Sequence, residues 1–499
     1  MLAETPTPAT PYRNSRTYVI TYDKLFVDGW TAPSAPENID VHSPGTGALI
    51  GQVPCADRPE VDAAVAAARR NFDDTDGWAG WDVERRATAL ERLADGLDGR
   101  HDDLVTRVCS QNGMPISLAH RLEGALPQAV YRYYAQLIRR QPSSELRQGF
   151  LQGTFSVQRR PIGLIGAIVP WNYPQVLLAF KVAPALAAGC TVVAKLSPET
   201  VLDSYVFAEA VQAAGIPDGV VNLLPAGADI GAYLVEHPGI DKVAFTGSTA
   251  TGRIIGETCG RLLRPVTLEL GGKSAAIVLD DADLAANAAG IYASSFLNNG
   301  QTCAAATRIL APASRYEEVV NVIAGLADSL VVGDALDPAT QVGPLVSRKQ
   351  RDRVEAHIAR ALADGARLVA GGDRPKDLDG GWFVRPTVFA DVDNRSALAR
   401  EEVFGPVVAI TPYTDVDHAI ALANDSDYGL GGVVWTSDPD RGQRVAARVQ
   451  TGTIGVNAYT LDPAAPFGGI KDSGIGRELG PEGLAAYQSV QSMFLPTGG

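Results

Sequence analysis

Two short segments carry the residue types that could do covalent chemistry. Gly300-Gln301-Thr302-Cys303 sets one thiol on a glycine-loosened turn, and Cys303 follows Glu269, in Glu269-Leu270-Gly271-Gly272-Lys273-Ser274, by 34 residues. A thiol nucleophile with a separate general base is the minimum set for two-step acyl chemistry. A free thiol, with a pKa of about 8.5, is only slightly ionised at neutral pH, so Cys303 needs such a base. By itself, a cysteine after Gly-Gln reads equally as a small buried hydrophobe. A third segment, Pro170-Trp171-Asn172-Tyr173-Pro174, holds an asparagine stiffly between aromatics and prolines. Its amide could receive an oxyanion, or it could simply be a turn residue. Lys195, in Lys195-Leu196-Ser197, suits ribose hydroxyls or phosphate, or a snorkelling surface role. Glu402, before Val403-Phe404-Gly405-Pro406, suits a pair of hydroxyls, or a solvated acidic turn.

These residues need elements to place them. A βα alternation begins near Gly163. Strands are expected at 162–169, 191–195, 220–224 and 242–246, with helices at 176–188, 201–214, 229–236 and 249–259. That order implies a doubly wound parallel sheet with right-handed crossovers. Strand 242–246 runs into Gly247-Ser248-Thr249-Ala250-Thr251-Gly252 and a helix. Strand, glycine turn and helix can cradle a phosphate on free N–H groups, although GxxxxG is also an ordinary βα turn and GxGxxG is absent. A second α/β series runs from Ser274 to about Val456, with strands at 275–279 and 307–311 and helices at 283–297, 316–329 and 349–364. Upstream, apolar residues at 61, 65, 68 and 72 follow helical spacing after Pro59, and helical patterns continue to about Arg139. Residues 141–158 read as a protruding hairpin, 486–495 as a strand tail and 1–20 as an arm.

A chain of 499 residues exceeds one ordinary core, so two or three domains are expected. The net charge of −14 disfavours nucleic acid or an anionic membrane as a global partner. Five scattered cysteines without a CxxC suggest neither a disulfide framework nor a zinc site, and the six histidines are equally scattered, so no metal is expected. The Thr- and Pro-rich start does not read as a signal peptide, and the apolar run 162–180 is broken by Pro170, Asn172 and Pro174. A cytoplasmic location, with no membrane partner, is expected.

In order along the chain stand PWNYP (170–174), FKVAPALAAG (180–189), FTGS (245–248), ELGGKS (269–274), GQTC (300–303), EEVFGP (401–406), NDSDYGL (424–430) and PFGGIKDSGIGRELG (466–480). This ordered set resembles the NAD(P)-dependent aldehyde dehydrogenases, over about residues 20 to 495. The resemblance implies an α/β fold with a doubly wound cofactor domain at 1–140 and 159–269 and a second α/β catalytic domain at 270–460. A small β oligomerisation arm and tail follow at 141–158 and 480–499. It implies Cys303 as nucleophile, Glu269 as base, Asn172 with the Cys303 N–H as oxyanion hole, and Lys181 close to the site. Lys195 and Glu402 would hold the two riboses, and Gly247 and Ser248 the pyrophosphate. Trp171 would flank the adenosine half and Phe404 the nicotinamide, with Ile168, Gly227, Phe245 and Leu270 completing the cofactor set. Tyr173, Leu177, Phe296, Leu297, Leu461 and Phe467 would line the aldehyde funnel, with Asp462 the nearby charge.

The chain departs from the family in one informative place. Pro198 stands where a ribose-binding carboxylate is common, and Glu199 comes one place later. No basic residue in the segment would attract a 2′-phosphate, so NAD is expected, with NADP possible. The expected partner is a small, neutral, apolar or aromatic aldehyde, and the expected assembly a homodimer or homotetramer. A CoA-acylating semialdehyde dehydrogenase or a non-catalytic structural relative are the alternatives. Retention of both Cys303 and Glu269 disfavours them.

Overall fold

The computed structural model describes residues 19–378 and 380–495. Most of the arm expected at 1–20 and the last residues of the tail lie outside this range. Helix α1, Arg58–Asp73, starts earlier than its apolar spacing indicates, because Asp57 and Glu60 form a reciprocal capping box and Pro59 sits in the first turn. Four more helices follow: α2 (Val83–Asp98), α3 (His101–Asn112), α4 (Ile116–Leu122) and α5 (Leu126–Arg140). Gly113, at φ 85°, ends α3 in the left-handed region.

The first sheet has eight strands. Its parallel centre runs, in space, Val266–Glu269, Lys242–Thr246, Leu164–Ile168, Thr191–Leu196, Val221–Pro225. The first of these in sequence, Leu164–Ile168, lies in the middle, so the chain winds outward in both directions and leaves a switch point there. Strands Leu164–Ile168 and Thr191–Leu196 are buried throughout, as sheets covered on both faces require. Helix α6, Pro174–Ala188, is buried at every position, which matches its all-round apolar sequence. Two-residue antiparallel strands close the edges: Gly474–Ile475 on one side, Leu25–Phe26 and Trp30–Thr31 on the other.

The second sheet has seven strands, parallel from Thr387–Ala390 through Val407–Tyr413, Arg308–Pro312, Ala275–Val278 and Gly432–Trp435 to Gly455–Val456. Within the expected helix 283–297, an α-helix covers Ala288–Ser295 only. Asn298 and Asn299 then take φ of 50° and 61°, a left-handed step that periodicity cannot reveal.

The hairpin Ser144–Gln148 and Thr154–Pro161 forms as read. The tail strand Gln488–Phe494 pairs with Thr154–Pro161 of its own chain, antiparallel over seven residue pairs, so hairpin and tail form one three-stranded sheet. Among the described residues, no helix is long and apolar enough to cross a membrane.

Candidate active site

The carboxyl edge of the first sheet assembles a row of polar groups. Ile168 pairs with Lys195 on one side and Phe245 on the other, and Thr246 pairs with Glu269. Four neighbouring strands therefore end together, where open α/β sheets bind ligands. Ser248 caps the 13-residue helix Thr249–Arg261, its Oγ accepting from the Thr251 N–H at 3.3 Å. A Cβ on Gly247 would lie 2.4 Å from the Phe245 ring, so only glycine lets this turn close over that side chain. Leu270 packs beneath Gly252 of the same helix, and Gly227 caps helix Ala228–Glu236. Burial lowers the Lys195 ammonium from its ordinary value, against the pull of Glu199 and Asp229. Ser197 Oγ donates to Glu199 Oε2 at 2.5 Å, which holds that carboxylate beside Lys195.

At the other end of the row, Glu402 is half-buried, and desolvation raises its carboxyl above the usual range. Its Oε1 accepts from the Gly272 N–H at 3.0 Å, and a Cβ on Gly271 would come 2.6 Å from its Oε2. Phe404, at φ 59°, meets Trp171 edge to face at 5.3 Å. The family resemblance would put these two aromatics at opposite halves of a dinucleotide. In the fold they stand together at the Glu402 end.

Cys303 follows a turn that is clamped on all sides. Asn298, Asn299 and Gly300 are successively left-handed, and a Cβ on Gly300 would lie 2.1 Å from the Gly405 carbonyl. Asn299 Nδ2 donates to the carbonyls of Gly113 and Pro344 at 2.8 and 2.9 Å, and its Oδ1 accepts from the Gly343 N–H at 2.6 Å. Gln301 Oε1 accepts from the Val346 N–H at 3.0 Å. Asn298 Nδ2 donates to the Asn172 carbonyl at 2.9 Å, and Asn172 Nδ2 donates to the Gln301 carbonyl at 3.0 Å. One amide hydrogen of Asn172 remains free beside the thiol turn. Asn298 and Asn299 escaped the sequence reading, although Asn-Asn-Gly is itself a turn signal.

The Glu269 segment lies against this turn. A Cβ on Gly272 would be 2.3 Å from the Cys303 carbonyl oxygen. The Cys303 thiol is pushed up to about 12, first by burial, then by the charges of Glu402 and Glu269. Glu269 is buried, and neither carboxylate oxygen has a hydrogen-bond partner. Burial raises its carboxyl well above the ordinary value. Glu478 adds to that, and Lys181 opposes it. Gly468 leaves the space next to Glu269 Oε1 open, since a Cβ there would sit 2.6 Å away. Lys181 is itself buried and donates to Glu478 Oε1 at 2.6 Å and Thr246 Oγ1 at 2.5 Å. Glu478, which the sequence reading did not single out, stands 297 residues from Lys181, so no local pattern links them.

A cavity of about 370 Å³ opens onto Cys303. Tyr173, Leu177, Leu297, Leu461 and Phe467 line it, as expected from the sequence. Phe296 does not. It is fully buried in the core of the second sheet, because its position in the chain faces away from Leu297. Leu122, Leu126, Ala129, Val176 and Phe180 complete an apolar wall. The charged group in the lining is Arg121 of α4, not Asp462. Thr302 donates to the Leu297 carbonyl at 3.1 Å, so Tyr173 Oη donates to Thr302 Oγ1, 2.6 Å away. In the same way Thr453 donates to the Leu430 carbonyl, and Tyr459 Oη donates to Thr453. Both phenols beside the thiol therefore have their protons committed away from the cavity.

A sequence model of the Aldehyde dehydrogenase family matches residues 30–493. The chain belongs to this family. As an aldehyde dehydrogenase it is an NAD(P)-dependent enzyme that oxidises an aldehyde to an acid. It is 54% identical over 477 residues to the geranial dehydrogenase of Castellaniella defragrans, covering 95% of this chain and 99% of the relative. The crystal structure of a Mycobacterium tuberculosis aldehyde dehydrogenase complexed with NAD+ superposes with a TM-score of 0.94 at 46% identity, over 96% of this chain and 99% of the other. A cysteine-to-alanine variant of aldehyde dehydrogenase C from Pseudomonas syringae, with NAD+ and octanal, gives 0.91 at 37% identity, over 95% and 96%.

Proposed function

We propose that this aldehyde dehydrogenase oxidises a neutral, apolar aldehyde through a thioester on Cys303, with Glu269 as the base. The reading rests on one juxtaposition: the thiol at the foot of an apolar cavity, beside a buried carboxylate with both oxygens free. The residues also suit a dinucleotide. The Ser248 helix start offers N–H groups to a diphosphate, Lys195 offers a cation at one end, and Glu402 keeps an oxygen for a ribose at the other. On this reading 1–140 and 159–269 hold the cofactor and 270–460 supply the thiol.

When bound, the nicotinamide supplies a hydride acceptor. Cys303, its proton passed to Glu269 directly or through water, adds to the aldehyde carbon. The new oxyanion lies between the free Asn172 amide hydrogen and the Cys303 backbone N–H, donors of a kind worth about 10²–10³ in rate. After oxidation the acyl group remains on sulfur as a thioester. Glu269, once it has released the thiol proton to solvent, takes a proton from water as that water attacks the carbonyl; the C–S bond breaks, Cys303 leaves as thiolate, and the acid is released. The Lys181–Glu478 pair tunes how readily Glu269 gives up its proton.

The cavity wall favours an apolar chain. Its two phenols have no O–H to offer a substrate hydroxyl, so away from Arg121 a neutral hydroxylated aldehyde would lose hydrogen bonds to water without replacement. The relative named geranial dehydrogenase and the structure holding octanal support the same class. The test is NAD reduction with a panel of aldehydes, with and without CoA. Octanal and geranial are expected to exceed neutral hydroxylated aldehydes of the same length in kcat/KM by about ten- to a hundredfold, the cost of about 1–3 kcal/mol for burying an unpaired polar group. Ala129→Phe should depress octanal turnover while sparing a two-carbon aldehyde. Equal rates across the panel, or a strict need for CoA, would sink this reading.

Glu199, held by Ser197 beside Lys195, occupies the neighbourhood in which a 2′-phosphate would sit. A preference for NAD of about tenfold, roughly 1.4 kcal/mol, is expected. Glu199→Gln should raise kcat/KM for NADP more than for NAD, and a variant that leaves their ratio unchanged would remove Glu199 from this role. Homodimer or homotetramer assembly belongs to the same reading. Leu146, Phe150, Leu151, Val490 and Phe494 stand exposed on the arm and its tail strand, and a second copy would cover them. Light scattering at micromolar concentration checks this, and a monomer there refutes it.

A further inference from the structure

His101 and His120 are 19 residues apart in the chain and meet in the fold. His101 opens α3, and His120 lies in the last turn of α4. His101 Nδ1 lies 2.8 Å from the Gly124 carbonyl. A carbonyl only accepts, so Nδ1 carries the proton and Nε2 keeps its lone pair. That lone pair faces His120 Nδ1 at 2.9 Å. A Cβ on Gly124 would come 2.4 Å from His101 Cε1, so glycine is what lets the ring take this orientation. One ligand atom from each of His101, His120 and the Asp102 carboxylate lies within 4.8 Å of the others. The sequence reading, which took the histidines as scattered, had no spacing rule that joins them.

We propose that His101, His120 and Asp102 bind a divalent transition-metal ion of the zinc type, tying the start of α3 to the end of α4. A backbone carbonyl on the far nitrogen is how metal-ligating imidazoles are held in one tautomer and one orientation. Two neutral imidazoles and a carboxylate suit Zn²⁺, with Zn–N and Zn–O near 2.0–2.2 Å and water in the fourth place. Donors around such a tetrahedral ion stand about 3.3 Å apart, so the two nitrogens open by about 0.4 Å, the two near-parallel rings swing until their lone pairs converge on the ion instead of facing each other, and the carboxylate oxygen, within 4.8 Å, closes by up to about 1.5 Å. His120 moves its ring proton to Nε2. His120 and Asp102 are exposed and His101 half-buried, so an ion can reach them. The site is separate from the thiol. It still bears on the substrate route, because Arg121, Leu122 and Ala125, which line the aldehyde cavity, follow His120 directly. A bound ion holds that stretch against α3.

Zn²⁺ is titrated calorimetrically into the full chain carrying Cys303→Ala, which removes the cavity thiol as a competing ligand. One equivalent per chain is expected to bind and to raise the thermal midpoint. Adding His120→Asn should weaken binding by at least about tenfold and cancel the thermal shift, and Asp102→Asn or His101→Gln should act in the same direction. Folding is checked by the zinc-free aldehyde activity of each of these substitutions made with Cys303 intact, which should equal the parent's. A variant that fails this check is replaced by the next. No zinc binding by the Cys303→Ala protein, or binding unchanged by all three substitutions, overturns the proposal.

Discussion

Cys303→Ala protein is expected to lose aldehyde oxidation by about four to six orders of magnitude, the scale seen when a covalent nucleophile is removed. It should bind NAD as the parent does. The two outcomes separate because the thiol acts on carbon, whereas the cofactor-facing groups belong to other elements: Ser248 on a helix start, Lys195 on a strand end, Glu402 just after the short helix Ala397–Arg400. The turn that presents residue 303 does not depend on the sulfur. It is held by Asn298, Asn299 and Gln301 through hydrogen bonds of 2.6–3.0 Å, all of which survive the substitution. Steady-state NADH production measures the first outcome, and calorimetric NAD binding the second. Substantial turnover in this variant would remove Cys303 as nucleophile. Loss of NAD binding alongside activity would mean instead that the sulfur supports the cofactor row.

The elements that proved legible were those whose signal is local. Lys242–Thr246 is an apolar run between turn residues, and Tyr316–Ser329 keeps helical spacing from end to end, so both were read at their observed bounds. The failures are non-local or single-residue events. Gly474–Ile475 joins the first sheet beside Val266–Glu269 from far along the chain, and a two-residue strand has no periodicity to read. The tail strand was recognised as a strand. Its pairing with Thr154–Pro161 of its own chain was not, because an unsatisfied edge does not say whose edge will meet it.

The site divides along the same line. Lys195, Phe245 and Glu269 could be placed because strand order puts strand ends on one rim. Phe296 and Leu297 were taken together as cavity residues, yet one step of backbone rotation sends the first into the core of the second sheet and the second into the cavity. Arg121 and Ala129 come from helices read only as generic helices, and which face of each meets the cavity is decided by tertiary packing. Glu478 needed Lys181, 297 residues away, before its burial made sense.

Glu269→Gln protein is expected to release a burst of NADH close to one per site and then settle to a much slower steady rate. Glutamine keeps the shape of the side chain, so the thiol turn and Gly468 gap are undisturbed, and the first acyl transfer to Cys303 can still occur, more slowly, with the thiol proton passing to water instead of to Glu269. What it loses is an oxygen able to accept a proton from the attacking water, so deacylation becomes limiting. The pH dependence gives a second, independent reading. Burial and the Glu478 charge hold the Glu269 carboxyl well above its ordinary value, and only its ionised form is a base. In the parent, steady-state turnover should therefore rise with pH through a value above the usual carboxylate range, and fall as pH drops back through it. The Cys303 thiol, pushed up to about 12, titrates too high to produce that limb by itself. The variant should lack it. Rapid-mixing measurements of NADH with octanal across pH test both points. A variant whose steady rate matches the parent's, or whose profile keeps the same rising limb, would take the base away from Glu269.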